Sequence, residues 1–490
     1  MLDVGTALLQ AAERAPDRLA LVGGTERLTY GMWLDRALRL AGGLEGERIA
    51  TVLQNTLDAA TLHWACQLSG KLIVPLNWRL KAEEIDYCLA DAGADTVVFG
   101  PEAAAAVAAS PRAQAIRRIE AGPALDALLE GPPAAPAAKA EDWSVMLYTS
   151  GTTGRPKGVP RRHRAERAAA IAHVAQNRYA PGEIALGVMP LYHTMGVRSL
   201  LASALVDGVF VCQPRFDPGA ALDLIEAEGV TALYLAPTLY HDLLAHPAFS
   251  RERVRSVRKL GFAGASMTND LLQRLDTAFE PELFVNHYGS SEIYTFTVCQ
   301  DAPAKPGSAG RAGLNQRIRV RSLDGTRDAL PGEEGEIAAT LASDEAFEGY
   351  WRRPDADARA LRDGWYHTGD TGWLDADGDL FVTGRVDDMI VTGGENVSPV
   401  EIESVLSLHP AVAEVAVAGL PDERWGQVVA AFVVPSGETT VEALDAHCRA
   451  SALADFKRPR RYLFIDEIPK SPVGKILRRL LAAPDEEEKA

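Results

Sequence analysis

Helical and strand-forming segments alternate through most of this chain, and that alternation constrains its fold more than any other feature. The segment ALLQAAERA has an amphipathic helical pattern, RIATVLQN has the pattern of a strand, and DAATLHWACQLSG is again helical. Such alternation is typical of mostly parallel α/β sheets flanked by helices. At 490 residues the chain is long enough for roughly three structural units.

The pattern changes near residues 384–388. Before this point, GWYHTGDTGWLDADGDLFVTG has the turn-rich alternation of short antiparallel strands. After it come a helix (SPVEIESVLSLHP), two strands (VAEVAVAGLP and VVAAFVVP), a further helix and a final strand (RYLFIDEIP). We therefore predict an α/β protein with a large N-terminal domain, residues 1–384, and a small C-terminal α+β domain, residues 385–490.

Composition excludes several classes of protein. The 50 basic and 67 acidic residues give a net charge of −17, which argues against sequence-independent binding of nucleic acid because phosphate neutralisation needs a basic surface. The five cysteines are far apart and odd in number, which fits neither a disulfide framework nor a paired zinc motif. The chain begins without a signal-like segment, and no apolar run approaches the roughly 18 to 20 residues that cross a bilayer. We expect a cytoplasmic protein with neither a nucleic-acid nor a membrane partner.

The most informative motif is YTSGTTGRPKG at residues 148–158, directly after an apolar strand. Its glycines let backbone N–H groups approach an anion, its hydroxyls add donors, and Lys157 supplies positive charge, so the run can hold a polyphosphate. It is not a Walker A loop, because Lys157 precedes Gly158 instead of following it.

This motif resembles the phosphate loop of the adenylate-forming enzymes, which include acyl-CoA synthetases, firefly luciferases and peptide-synthetase adenylation domains. The resemblance covers nearly the whole chain and is closest to the 4-chlorobenzoate and related aryl-acid CoA ligases. It implies an ATP-dependent ligase that converts a carboxylic acid to an acyl-AMP and then transfers the acyl group to CoA. The further matching motifs, in the family's order, are PLYH at 190–193, YGSSE at 288–292, YHTGD at 366–370, GRVDD at 384–388, GGEN at 393–396 and PKSPVGK at 469–475.

The resemblance assigns the catalytic roles to Glu292, His193 and Lys475. Glu292 would bind Mg²⁺, for which a carboxylate oxygen is a suitable hard ligand. Lys475 would reach from the small domain to the substrate carboxylate and the α-phosphate, where a fixed ammonium group stabilises developing charge.

The resemblance also implies the nucleotide contacts. Tyr288 would lie against the adenine, and Asp370 and Arg385 would contact the ribose. The complete set of implied ATP contacts is Thr149, Ser150, Gly151, Thr152, Thr153, Gly154, Lys157, Tyr288, Ser291, Asp370 and Arg385.

For thioester formation, the resemblance implies a rotation of the small domain about Asp387. The segment FKRPRR at 456–461 concentrates cations and an aromatic ring in an acidic chain, which suits the phosphates and adenine of CoA, although a solubilising basic loop is the alternative. The implied CoA contacts are Arg79, Gly393, Gly394, Trp425, Phe456, Arg458 and Arg460.

The resemblance implies that nine residues surround the acyl group. Bulky groups at Tyr234, His287 and Tyr294 should shorten the cavity, whereas a long-chain acid needs a tunnel of small apolar residues. We therefore predict a small aromatic or cyclic acid, and the polar groups in the pocket favour a hydroxylated or heteroaromatic ring. The implied lining residues are His193, Thr194, Met195, Tyr234, Ala265, His287, Gly289, Tyr294 and Thr295.

Residues 161–167 and the single residue Arg198 can each be interpreted in two ways. Residues 161–167, RRHRAER, either steer anions towards the site or form a helix surface with local charge pairs. Arg198 either binds a second carboxylate of the acid or lies on a helix surface.

Other functions stay open at this stage. The chain could act on a medium-chain or dicarboxylic acid, load a carrier protein instead of CoA, or catalyse a luciferase-like oxidation. A non-catalytic nucleotide sensor would be expected to lack Lys475 or Glu292, and both are present. The resemblance allows a monomer or a homodimer.

Overall fold

The computed structural model describes residues 2–149, 155–392, 395–422, 424–451, 453–470 and 476–481. The strands are β1 (Leu19–Gly23), β2 (Glu26–Thr29), β3 (Arg48–Val52), β4 (Leu72–Pro75), β5 (Thr96–Phe99), β6 (Arg117–Glu120), β7 (Trp143–Thr149), β8 (Lys157–Arg162), β9 (Ile184–Gly187), β10 (Val209–Cys212), β11 (Ala232–Leu235), β12 (Lys259–Phe262), β13 (Leu283–Tyr288), β14 (Thr297–Cys299), β15 (Ser308–Ala312), β16 (Ile318–Ser322), β17 (Gly335–Thr340), β18 (Leu361–Arg362), β19 (Trp365–Leu374), β20 (Leu380–Arg385), β21 (Ile390–Thr392), β22 (Glu395–Val397), β23 (Val412–Asp422), β24 (Gly426–Pro435) and β25 (Arg461–Phe464).

The α-helices are α1 (Thr6–Arg14), α2 (Tyr30–Gly43), α3 (Leu57–Ser69), α4 (Ala82–Ala92), α5 (Ala104–Ala109), α6 (Pro111–Gln114), α7 (Pro123–Asp126), α8 (His163–Gln176), α9 (Thr194–Leu205), α10 (Pro218–Glu228), α11 (Pro237–Ala245), α12 (Asn269–Phe279), α13 (Pro354–Ala360), α14 (Pro399–Leu406), α15 (Val441–Ala450) and α16 (Arg478–Leu481). Short 3₁₀ helices lie at Pro101–Ala103, Ala127–Glu130, Val386–Asp388 and Asp455–Lys457.

The largest sheet combines a parallel half with an antiparallel half. Its strand order is β16-β17-β19-β20-β15-β14-β13-β12-β11-β9-β10-β1-β2, and β18 pairs with β19. The pairings from β13 through β12, β11, β9 and β10 to β1 are parallel. The pairing of β1 with β2 and the pairings from β13 through β14 to β16 are antiparallel. Within this antiparallel half, β19 and β20 form the turn-rich region of short antiparallel strands predicted before residue 384.

A second sheet has the order β6-β5-β3-β4-β7-β8 and is parallel except for β8. Its helices form where the sequence supplies caps: the Thr56 hydroxyl accepts the backbone N–H of Ala59 at the start of α3, and Gly70 ends that helix at φ 74°. Trp33 of α2 and Trp64 of α3 are fully buried in the core beneath these helices. The predicted α/β class, with mostly parallel sheets flanked by helices, is confirmed.

The remaining strands form a small sheet with the order β22-β21-β24-β23, and β25 runs parallel to β24. Helices α14 and α15 cover one face and contribute Ile402 and Leu444 to its core. The predicted α+β arrangement of this region is confirmed. Between the large sheet and the small one, the chain passes through the 3₁₀ helix Val386–Asp388, and the Ser398 hydroxyl donates to the carbonyl of Thr383 across the connection.

Two further expectations from the sequence concern disulfide bonds and membrane-spanning segments. All five cysteines are buried and carry free thiols. None of the helices in the described ranges has the length and apolar character to cross a bilayer.

Candidate active site

Motif residues that are far apart in the sequence meet at one edge of the largest sheet. His193 follows β9, Tyr234 lies near the end of β11, Ala265 follows β12, and Glu292 follows β13. These strands are parallel neighbours, so their carboxyl ends lie side by side. Loops at this edge are the usual ligand site of an open parallel sheet.

A glutamate, a tyrosine and a lysine form the charged part of the site. Glu292 is buried, and its Oε1 accepts a hydrogen bond from the hydroxyl of Tyr350 at 2.7 Å. The Nζ of Lys157 lies 4.2 Å from the centroid of the Tyr350 ring. Burial lowers the pKa of Lys157, and the negative charge of Glu292 opposes that shift. Tyr350 lies outside the predicted motifs, and its signal in the sequence is only the aromatic pair in GYW at 349–351.

Arg161 fixes the backbone that carries Glu292. Its side chain is fully buried, and its Nε forms an ion pair with Glu166. Its Nη1 donates to the carbonyl oxygens of Glu292 at 3.1 Å and Ser291 at 3.4 Å. The guanidinium also lies 3.8 Å from the centroid of the Tyr294 ring. Arg161 therefore positions the YGSSE segment.

For Arg161, this burial contradicts both interpretations of residues 161–167. Arg162 and Arg164 do form surface ion pairs with Glu348, each at 2.8 Å. Arg161 neither faces solvent nor lies on a helix, because it belongs to β8 and its side chain turns into the protein. Its carboxylate partner, Glu166, stands in the first turn of α8, immediately after the strand.

The residues predicted to contact the ribose and the adenine lie together, because two of them pair directly across neighbouring strands. Asp370 in β19 pairs with Arg385 in β20. One carboxylate oxygen of Asp370 accepts from Arg385 Nη1 at 2.8 Å, and the other accepts from the Tyr288 hydroxyl at 2.6 Å. The antiparallel pairing thus brings together three residues assigned to one nucleotide.

The structure describes both ends of the phosphate motif but not several other predicted residues. Thr149 and Lys157 are paired at the adjoining ends of β7 and β8, so they lie on either side of the motif. The residues outside the described ranges are Ser150, Gly151, Thr152, Thr153, Gly154, Gly393, Gly394 and Lys475.

His193 begins the helix that lines the predicted acyl pocket. Its Nδ1 accepts the backbone N–H of Met195 at 3.4 Å and so caps α9. Burial and the nearby charge of Arg198 lower the pKa of His193 to about 4. At neutral pH its imidazole is therefore uncharged and does not act as a cation.

Three aromatic side chains close together form a cluster at the ends of β11 and β13. The ring centroids of Tyr234 and His287 are 5.4 Å apart, and each lies near His173, at 4.8 and 5.5 Å. Asn177 Oδ1 lies 3.2 Å from His287 Nε2. Opposite Tyr234, a Cβ at Gly261 would approach its ring to 2.8 Å, so a glycine is required beside the cluster. His173, on α8, was missed because its position in the chain belongs to none of the motifs.

Arg198 does not lie on a helix surface, contrary to one interpretation of the sequence. It is 2% exposed, and its Nη1 donates to Tyr294 O at 3.1 Å and Thr295 Oγ1 at 2.9 Å. Its Nη2 donates to the hydroxyl of Tyr234. Every residue of α9 from Thr194 to Ala204 is buried, so other parts of the protein cover all faces of this helix.

The other predicted pocket residues differ in how they are placed. Tyr294 turns its hydroxyl to Glu166, at 3.1 Å, and its ring to Arg161. Ala265 and Gly289 are exposed. A Cβ at Gly289 would lie 2.1 Å from the carbonyl oxygen of Tyr294, so this tight turn accepts no side chain. The buried members of the set are Thr194, Met195, Tyr234, His287, Tyr294 and Thr295.

The predicted CoA contacts are divided between the two domains. The Arg79 guanidinium lies 4.3 Å from the centroid of the Trp78 ring. Both residues line a cavity of about 240 Å³, together with Tyr192 and Arg215.

On the small domain, Trp425 and Phe456 are each 43% exposed, and Arg460 is exposed. Arg458 forms an ion pair with Asp445 at 3.0 Å, so this guanidinium is already held by the protein.

Two family descriptions match separate parts of the chain. Residues 8–351 match the AMP-binding enzyme family, and residues 401–475 match the AMP-binding enzyme C-terminal domain. The chain belongs to the AMP-binding enzyme family. This membership confirms the resemblance to adenylate-forming enzymes found in the motifs.

Individual AMP-binding enzymes resemble the chain over nearly its full length. It is 37% identical to the 4-chlorobenzoate–CoA ligase of Arthrobacter sp., over 96% of this chain and 93% of the relative. It is 32% identical to the long-chain-fatty-acid–CoA ligase FadD13 of Mycobacterium tuberculosis, over 98% of each. The ATP-bound crystal structure of MatB from Rhodopseudomonas palustris superimposes with a TM-score of 0.90 at 28% identity, over 98% of each chain.

These similarities give the reaction class. The chain is an AMP-forming acid–CoA ligase, with a carboxylic acid, ATP and CoA as its substrates.

Proposed function

We propose that this ligase activates a small aromatic or cyclic carboxylic acid as its acyl-adenylate and transfers the acyl group to CoA. The observation that carries the choice of acid is the packing of Tyr234, His173 and His287, whose ring centroids are 4.8 to 5.5 Å apart. We propose that these buried rings close the end of the acyl pocket, where a long alkyl chain would have to extend. A compact acid with a ring matches such a site better, because ligand pockets enclose most of the ligand surface.

The two relatives differ in the acid that they are named for, one a substituted benzoate and the other a long-chain fatty acid. The ring cluster favours the first class for this chain. A medium-chain or dicarboxylic acid is the main alternative, and Arg198 near the cluster is the feature that would favour a second carboxylate.

For the first half-reaction, the proposed metal ligand is Glu292. Mg²⁺ in proteins is held by one or two carboxylates, with phosphate and water oxygens completing its shell, so one buried carboxylate beside Lys157 fits this ion. Bound there, Mg²⁺ would neutralise phosphate charge and orient the α-phosphate. Lys157 adds positive charge beside the triphosphate, and Arg161 holds the Glu292 backbone in place.

The nucleotide and the acid are held by separate parts of the site. Asp370 and Arg385 are proposed to bind the ribose, and Tyr288 the adenine. His193, uncharged at neutral pH, is proposed to lie beside the acyl carboxylate. Lys475 is proposed, on its motif alone, to stabilise the charge that develops during adenylation.

For the second half-reaction, we propose that CoA binds between the cavity at Arg79 and the exposed aromatic groups of the small domain. Trp78, Trp425 and Phe456 offer ring faces to the adenine and the pantetheine arm. The small domain would turn about Asp387, which lies in the short 3₁₀ segment between the two sheets. A hinge needs only a few residues that absorb a change of φ and ψ.

A competition assay tests the proposed function. Purified enzyme, ATP, Mg²⁺ and CoA would be offered equimolar benzoate, hydroxybenzoates, chlorobenzoates, furoate, cyclohexanecarboxylate, malonate and fatty acids of short to long chain. We expect mass spectrometry to detect mainly the CoA thioester of a ring acid. A fatty acyl-CoA as the main product would contradict the pocket assignment, and acyl-AMP without any thioester would point to a carrier-protein acceptor.

Tyr350→Phe tests the proposed metal ligand. The substitution keeps the ring beside Lys157 and removes the hydroxyl that donates to Glu292. Because a hydrogen bond to a charged group contributes about 1.5 to 3 kcal/mol, we expect about a 10- to 100-fold loss in pyrophosphate release at limiting Mg²⁺. Tyr240→Phe is the matched control, since that buried hydroxyl bonds only backbone carbonyls. A Tyr350→Phe enzyme with an unchanged Mg²⁺ dependence would count against the assignment.

A further inference from the structure

The buried guanidinium of Arg198 has no ion-pair partner among the described residues. Its protein acceptors are the Tyr294 carbonyl, the Thr295 hydroxyl and the Tyr234 hydroxyl, and all three are neutral. A buried charge is costly unless it is paired and fully hydrogen-bonded.

Part of the guanidinium is also left without an acceptor. It has five N–H donors, and the three acceptors leave Nε and one hydrogen of Nη2. Nε is buried and has no hydrogen-bond partner among the described residues. The Nε–H and a neighbouring Nη2–H of a guanidinium can together donate two hydrogen bonds to a carboxylate or to another oxygen-bearing group.

A second unpartnered polar atom lies on the same ring cluster. His287 is 2% exposed, and its Nδ1 has no hydrogen-bond partner in the described ranges. The His287 ring packs against Tyr234, which accepts from Arg198. Two buried polar groups with unused capacity therefore adjoin one tyrosine, and such groups in native proteins are normally satisfied.

The neighbouring titratable groups do not neutralise Arg198 directly. Burial, followed by the Arg198 charge, lowers the pKa of His173, His193 and His287, so these imidazoles are uncharged at neutral pH. The charges of Arg161 and Arg198 lower the pKa of Glu345, but burial outweighs them and raises it to about 7. In the part of the chain that the structure describes, no carboxylate oxygen of Glu345 lies within ion-pair distance of Arg198.

We propose that Arg198, supported by Tyr234 and Thr295, forms a subsite for an oxygen acceptor of the acid, remote from the carboxylate that is activated. The acid then carries a phenolic hydroxyl or a second carboxylate at its far end. This inference rests on the proposed function, because it takes Tyr234, His287 and Thr295 as lining of the acyl pocket.

The test compares acids of similar size that differ in one group. The apolar acids are benzoate and 4-methylbenzoate, and the oxygen-bearing acids are 3- and 4-hydroxybenzoate, isophthalate and terephthalate. We expect kcat/KM of the unmodified enzyme for the best oxygen-bearing acid to exceed that for 4-methylbenzoate by about 10- to 100-fold, since the hydrogen bond involves a charged donor. The hydroxyl and carboxylate acids separate the two sources of the acceptor.

Substitution of Arg198 should remove this preference. In Arg198→Met, the ratio of kcat/KM values for the oxygen-bearing and methyl acids should fall to within a few-fold of one. Arg198→Lys, which keeps the charge, should retain part of the ratio, and Tyr240→Phe should retain all of it because its hydroxyl bonds only to backbone.

The possible results distinguish failure of the Arg198 subsite from failure of the proposed function. Equal use of methyl and oxygen-bearing acids by the unmodified enzyme, or a preference that survives in Arg198→Met, would overturn the Arg198 subsite and leave the ring-acid ligase standing. If Arg198→Met does not fold, the unmodified enzyme and Arg198→Lys decide. Conversion of fatty acids alone would overturn both.

Discussion

Glu292→Gln is expected to lower acyl-adenylate formation by about 10²- to 10³-fold, the cost of removing one preorganised group that stabilises transition-state charge. Glutamine has nearly the same shape, and its carbonyl oxygen can still accept from the Tyr350 hydroxyl. The substitution therefore removes the negative charge with little change in packing. It also leaves Lys157 without the opposing charge that keeps its pKa from falling further.

The measurement is ATP–pyrophosphate exchange with saturating acid, repeated over a range of Mg²⁺ concentrations. Glu348→Gln is the matched control, because Glu348 is a surface glutamate whose partners are Arg162 and Arg164, and we expect it to retain full exchange. Exchange by Glu292→Gln within a few-fold of the unmodified enzyme would remove Glu292 from the proposed metal site.

The convergence of the motifs could be predicted from the sequence because it follows from sheet topology. Once β9, β11, β12 and β13 are parallel neighbours, the residues that follow them must meet at one edge. The pairing of Asp370 with Arg385 has a similar origin, because both belong to motifs on adjacent antiparallel strands. Short motifs with a fixed order are therefore sufficient to locate this edge of the site.

The buried arginines could not be predicted, because burial of a charge depends on distant partners. Arg198 bonds to Tyr234 and Thr295, which are 36 and 97 residues away along the chain. Arg161 donates to the carbonyl of Glu292, 131 residues away. In the sequence both arginines are simply cations near a helix, and most such cations are solvent-exposed.

Tyr350 was missed for a related reason. It contributes a ring to Lys157 and a hydroxyl to Glu292, and those two partners are themselves brought together only by the fold. An aromatic residue outside the motifs is most simply explained as core packing. The structure instead identifies it as the link between the anionic and cationic parts of the site.

Arg161→Met is expected to lower the free energy of unfolding by about 3 to 5 kcal/mol, because it leaves Glu166 as a buried carboxylate without its cation. Both side chains of this pair are completely buried, so water cannot replace the lost partner. The Tyr294 hydroxyl, at 3.1 Å, still donates to Glu166 but does not balance its charge. Denaturant unfolding followed by tryptophan fluorescence would measure the change in the large domain.

The double variant Arg161→Met/Glu166→Gln separates stability from positioning. Removing both charges should restore most of the lost stability, since a buried ion pair replaced by neutral groups often costs little. It should not restore adenylation, because the carbonyl oxygens of Ser291 and Glu292 would still lack the donor that holds the YGSSE segment. Recovery of both stability and adenylation would mean that Arg161 serves only to neutralise Glu166, whereas recovery of stability alone would establish it as a positioning residue for Glu292.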